Sequence, residues 1–159
     1  MKSDFSLYNH IDRKNVRNLF SERPLVLASW CRMIENVVVD FRLAADVYAG
    51  FQRMRRLGPV WPRYQKMAGT AQGIWIFGAQ DATYPQTNHI NFITLTPEDE
   101  LMREWFLIVD HTTYSRALVA RETTPLGTPQ QDRLFEGVLI GERAMVKDIK
   151  TKLQDTLRT

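Results

Sequence analysis

Cysteine is nearly absent: Cys31 is the only one in 159 residues, so no internal disulfide can form and a reducing compartment is expected. Its neighbours Leu27, Ala28, Trp30, Met33 and Ile34 make it a buried thiol that packs as a small hydrophobe. No apolar run approaches the roughly 20 residues of a membrane-spanning helix. The opening Met1 to Asp12 mixes charge with Phe5, Leu7 and Tyr8 instead of forming a signal-peptide core, and a cytoplasmic location with no membrane partner is expected. The 8 glycines are scattered, and none leads into Lys-Ser or Lys-Thr as a phosphate-cradling loop requires. His10, His89 and His111 lie far apart with no second ligand at metal-site spacing, so no metal site is expected. A Gly-x-Ser-x-Gly elbow is missing too, and the adjacent Asp110 and His111 on a strand end point to opposite sides. Catalytic residues are therefore expected to be absent, and the cofactor, if there is one, is unspecified.

What is present is a globular composition, 44% hydrophobic and 25% charged. That supports a single domain over residues 1–159, burying roughly two thirds of its unfolded surface. Two uninterrupted apolar runs, Gly73-Ile74-Trp75-Ile76-Phe77-Gly78 and Trp105-Phe106-Leu107-Ile108-Val109-Asp110, read as central strands buried on both faces. Strands are also expected over 46–52, 90–95, 117–122 and 135–141. An amphipathic helix spans 24–37, beginning at Pro24, and another restarts near Pro62 after Gly58-Pro59. Thr96-Pro97-Glu98-Asp99 reads as a capped start of a short helix to Arg103. Residues 1–21 are weakly patterned and partly helical, 80–88 and 123–132 are loops, and the chain ends in a helix over 142–158. The fold class is α/β: a mixed sheet of about five to six strands flanked by helices.

In an open sheet of this class ligands lie at the carboxyl ends of strands, which directs attention to 77–81 and 110–112. Net charge is only +3, with Arg53, Arg55, Arg56, Arg63 and Lys66 interleaved with Phe51, Trp61 and Tyr64. That pattern suits a single-stranded nucleic-acid surface, a solvated helix face or a basic surface that meets an acidic partner. Glu35 and Asp110 are carboxylates that approach a pocket without any sign that they meet.

The succession Ala49-Gly50-Phe51-Gln52-Arg53, then Arg63-Tyr64, then Ile74 to Gly78 followed by Asp81, then Glu104 to Asp110, and Phe135-Glu136-Gly137-Val138, resembles the DICT sensory domain family. Leu25 to Glu35 is similar to that family's opening helix. The resemblance covers nearly the whole chain and rests on order and spacing. It implies a bacterial signal-input role, attached to diguanylate cyclases and two-component proteins, without catalytic residues to carry over. Because the output domain of attached family members has no counterpart here, either a free-standing version or a piece of a longer protein is expected. The positions it emphasises as ligand-binding are Phe51, Gln52, Arg53, Phe77, Gly78, Asp81 and Asp110.

The reading is a sensory domain that binds a small ligand or a protein partner and relays a signal to an output domain or partner protein. A ligand touching Gln52, Arg53 and Asp110 would favour one placement of the C-terminal helix. That helix spaces Val146, Ile149, Leu153 and Leu157 three, four and four apart, the seam of either a sheet-packing helix or a homodimer interface. A protein-interaction adaptor ranks second, a small-metabolite enzyme third and a nucleic-acid binder last.

Overall fold

Strand β2 (Asp46–Arg53) is buried almost throughout because both its neighbours and both its faces are covered. In the computed structural model, which describes residues 4–157, it is an interior strand of a seven-stranded sheet, next to the central strand. The other strands are β1 (Asn18–Glu22), β3 (Gly73–Ala79), β4 (Ile90–Thr94), β5 (Glu104–His111), β6 (Tyr114–Glu122) and β7 (Phe135–Ile140). Their order is β1-β7-β6-β5-β2-β3-β4; β2, β3 and β4 run parallel, and every other neighbouring pair is antiparallel. The mixed α/β sheet thus has one strand more than expected. The additional one is β1, hidden in the weakly patterned N-terminal stretch, where Leu19 stays exposed at the sheet edge and breaks the apolar alternation.

Helices α2 (Pro24–Asp40) and α3 (Trp61–Ala68) cover one face; α1 (Leu7–His10) and α4 (Arg143–Leu157) cover the other. Strand alternation divides the two cores. Val47, Ala49, Leu107 and Val109 pack with Leu27, Ile34 and Met67, whereas Tyr48, Phe106 and Ile108 pack with Leu7, Val146 and Ile149. Gly50 is required where the two strands meet, since a Cβ there would stand 2.3 Å from the Phe106 ring. Helix α1 is stapled to β5 by Glu104, which accepts from the Ser6 hydroxyl (2.5 Å) and the Tyr8 amide (2.8 Å) and pairs with Arg121 (3.0 Å).

Two expectations need correction. The helix over 97–103 is replaced by a turn and a short 3-10 segment, Glu100–Arg103. The Asp99 carboxylate accepts from the Thr96 amide (2.8 Å) and hydroxyl (3.2 Å), closing the turn before a helix can start, and no side chain caps the 3-10 segment. The seam of α4 is not a free surface either. Val146, Ile149 and Leu153 are 0%, 2% and 0% exposed against this chain's own sheet, with Leu157 packed at the margin, so the sheet already fills the place assigned to a second copy.

Polar contacts set the position of α4 along the sheet. Asp46 and Asp110 are directly opposite each other on β2 and β5, and like charges so placed repel. Lys150 bridges them, 2.7 Å from Asp110 and 3.3 Å from Asp46. Arg143 lies 3.5 Å from Asp110, and Gln154 donates to the Tyr48 hydroxyl at 2.5 Å. Burial alone would raise the Asp110 carboxyl, but Lys150, Ser115 and Arg143 outweigh it and hold it below its usual range. Its contribution to stability is therefore present above the unfolded carboxylate value of about 3.9 and is lost as pH falls through the lower folded value. Lys150→Met is expected to cost about 1–3 kcal/mol at pH 7, a cost that shrinks below about pH 4. Urea unfolding at pH 3 and pH 7 checks this, and an equal cost at both would contradict it.

Candidate ligand-binding site

The parallel register of β2 and β3 holds from Asp46↔Gly73 to Gly50↔Phe77 and then slips, so that Gln52 faces Gly78 and Phe51 is left over. This bulge turns Gln52 into the left-handed region at φ 65°, a conformation that costs a non-glycine residue about 1–3 kcal/mol and that gathers at functional sites. Its side chain is what holds it there. The buried Gln52 amide donates to Glu122 at 3.2 Å, and its carbonyl accepts from Arg56 at 2.5 Å and from Arg133. Arg133 is itself buried and closes the ring with bonds of 3.0 and 3.1 Å to the Glu122 carboxylate. Thr124 adds a further donor to Glu122 at 2.8 Å.

Around this node opens a cleft of about 240 Å³, bordered by Arg53, Arg55, Arg56 and Arg133 and by the loop at Leu126 to Thr128. Among the described residues Glu122 is the only carboxylate lining it, and Arg133 already occupies that group. Burial would raise the Glu122 carboxyl, but the bonds from Arg133, Thr124 and Gln52 outweigh it and hold it low. Arg56 is lowered to about 10, first by burial and then by the charge of Arg133, with Glu122 opposing. The cleft thus carries an excess of positive charge that an anion would relieve.

A second cavity of about 340 Å³ adjoins it between α2 and strands β2 and β5. Cys31, Phe51, Val60, Tyr64 and Trp105 give it an apolar wall, with Arg56 and Gln130 shared between the two spaces. At its polar margin Glu35 accepts from the Tyr64 hydroxyl (2.6 Å) and from Arg63 (2.5 Å). Burial pushes the Glu35 carboxyl up, with the bonds from Tyr64 and Arg63 opposing. Burial and the neighbouring Glu35 charge also raise the Cys31 thiol and the Tyr64 phenol. Cys31 is accordingly a packed thiol, not an activated one.

Of the residues proposed from sequence, Phe51, Gln52 and Arg53 meet at these cavities. Asp81 stands behind them, accepting from the Arg55 amide (2.9 Å) and lying 3.5 and 3.9 Å from the Arg55 and Arg53 guanidiniums. Phe77 is fully buried in the opposite core, edge-on to Phe106. Gly78 lets the backbone of Arg53 and Met54 come close: a Cβ would stand 3.1 Å from it. Asp110 requires correction. Because β5 runs antiparallel to β2, the carboxyl end of β5 lies beside Asp46, at the opposite end of the sheet from Gln52 and Arg53. One small molecule at the bulge cannot touch it. The basic-aromatic run does not form one stripe either, since Arg56 turns to Gln52 and Arg63 to Glu35, while Phe51 and Tyr64 pack edge to face.

Sequence reasoning missed Glu122, Gln130 and Arg133 as site residues. Glu122 ends an expected strand, Gln130 sits in the expected loop over 123–132, and Arg133 falls between that loop and the next expected strand, with no spacing to mark either. Arg56 and Glu35 had both been noticed, but nothing local indicated which partners they would find. Among the described residues no group of three His, Cys, Asp or Glu side chains is placed to hold a metal, and no helix is long and apolar enough to cross a membrane.

The profile of the sensory domain in diguanylate cyclases and two-component system, DICT, matches residues 6–123. The chain belongs to the DICT family. Its sensory role follows from that membership. The matched span contains Gln52, Arg56 and Glu122, whereas Gln130 and Arg133 come from beyond it. Among solved structures, polyphosphate kinase from Porphyromonas gingivalis is similar in fold, with a TM-score of 0.56 and 11% identity. The similarity covers 94% of this DICT chain but 24% of the kinase chain, so the chain spans about a quarter of that enzyme. No curated protein matches the sequence.

The arginines of the cleft divide into locked and available cations. Arg133→Met leaves the buried Glu122 without its partner and is expected to lower stability by about 3–5 kcal/mol. Arg53→Ala removes a side chain that is 42% exposed and is expected to change stability by no more than about 0.5 kcal/mol. Urea denaturation of both variants checks the division; equal losses would contradict it.

Proposed function

We propose that this DICT domain is a non-catalytic sensor of an anionic small molecule, captured in the cleft at the bulged end of β2. The observation that carries this reading is the convergence of four guanidiniums on a space whose one carboxylate is already paired. Arginine forks match the geometry of carboxylate and phosphate oxygens, and burial strengthens the attraction. The site has positioned charge, which suits recognition of an anion.

The relay follows from the same contacts. A bound anion competes for Arg56, which holds the Gln52 carbonyl and so helps to keep the backbone in its left-handed state. Relaxation of the bulge shifts β2, whose other end carries Asp46 and Tyr48, the residues that hold α4 through Lys150 and Gln154. Occupancy then favours one placement of α4 only to the extent that the anion binds the two states differently. An output domain or partner protein receives that change. A second reading, docking of a partner protein, draws on the exposed Leu25, Met33 and Phe41 of the α2 region, 84%, 65% and 72% accessible.

Inorganic phosphate and pyrophosphate are the first probes. Each is expected to raise the melting temperature of the wild-type protein with increasing concentration, less so at high salt. Arg56→Gln combined with Arg53→Ala is expected to reduce apparent affinity at least tenfold. Hydrogen exchange in α4 should change on binding. An unchanged shift in the double variant would overturn the cleft as the site, and unchanged α4 exchange would overturn the relay.

A further inference from the structure

Resting on the anion-binding reading of the cleft, we infer that cleft and apolar chamber form one bipartite site, whose ligand is an amphipathic organic acid. An oxyanion head, carboxylate or phosphate, lies among Arg53, Arg56 and Arg133, and an apolar body enters between Phe51, Val60 and Trp105.

Three observations join the two spaces. Arg56 and Gln130 line both, so a molecule that reaches the guanidinium of Arg56 from the cleft is already at the mouth of the chamber. The bulge places Phe51 in the wall of the chamber and its neighbours Gln52 and Arg53 in the wall of the cleft, so one irregularity in β2 shapes both. Of the polar side chains that line the chamber, Glu35 and Tyr64 are bonded to each other and Arg63 pairs with Glu35, while Arg32, Arg56 and Gln130 add polar groups; between them Phe51, Val60, Trp105 and Leu107 leave an apolar wall that rewards hydrocarbon. At about 340 Å³ the chamber alone sits near the lower end of the ~300–1,000 Å³ typical of small-molecule sites. The cleft supplies the charged remainder. An ion of phosphate size would leave the chamber empty, and a neutral hydrocarbon would leave the arginines without a partner.

The test uses octanoate and octyl phosphate as amphipathic acids, acetate and inorganic phosphate as heads alone, and octanol as a body alone, measured by calorimetry on the full chain. Octanoate and octyl phosphate are expected to bind at least tenfold more tightly than acetate and phosphate respectively, since each buried methylene adds to the affinity. Ala28 lies on the exposed side of α2 and lines the chamber, so Ala28→Phe narrows the chamber without disturbing the core. It is expected to remove the advantage of the octyl chain while leaving phosphate binding unchanged. Arg56→Gln should weaken all four acids. As a readout independent of the variants' folding, 8-bromooctanoate should quench Trp105 fluorescence, an effect missing from Trp105→Phe.

Octanoate binding no better than acetate, with phosphate still bound at the arginines, would overturn the bipartite site and leave the cleft reading standing. Octanol binding as tightly as octanoate, or an octyl advantage that survives Ala28→Phe, would also overturn it. Failure of phosphate and octyl phosphate alike to bind would remove the cleft reading itself, and the inference with it.

Discussion

The hydrogen-bonded ring of Gln52, Glu122 and Arg133 ties together three segments that are distant in sequence: the end of β2, the end of β6 and the approach to β7. A buried guanidinium is tolerated only where a carboxylate and further acceptors surround it, and the bulge in β2 presents the Gln52 carbonyl for that purpose. The hydrogen bonds of the ring offset both the cost of a left-handed glutamine and the cost of a buried arginine. Because the ring is closed, the cleft beside it keeps its shape while Arg53 and Arg55 remain on its rim.

The two ends of the sheet have different tasks. At the bulged end, cations exceed anions and space is left open. At the other end, Asp46 and Asp110 face each other and Lys150 and Arg143 together neutralise them, so charge there is balanced and used to hold α4. This division follows from strand direction. Of the parallel set β2-β3-β4, β2 sends its carboxyl end into the wall of the cleft, and the antiparallel β5 sends Asp110 away from it.

The matched family span supplies the bulge, Arg56 and Glu122, whereas the loop and β7 region beyond it supply Gln130 and Arg133. Family membership accounts for the sensory role; the walls of the proposed cleft lie partly in residues outside the shared span. The fold similarity to polyphosphate kinase at 11% identity speaks to the arrangement of strands and helices alone.

By itself the sequence determined the elements whose patterns are local. The apolar runs at Ile74 and Phe106 read as doubly buried strands, Pro24 opens α2, and the spacing of Val146, Ile149 and Leu153 sets the buried stripe of α4. It also brought Phe51, Gln52 and Arg53 into view together, because neighbours on a bulged strand end remain neighbours after folding. The tertiary structure alone decided what depends on direction and on distant partners. Which strands run antiparallel removed Asp110 from the site, the edge position made β1 a strand, and the sheet rather than a second chain took the α4 seam. Arg133 gained its role only by meeting Gln52, 81 residues away. No short-range pattern records such a contact, since it arises when chain closure brings a buried charge to the acceptors that satisfy it.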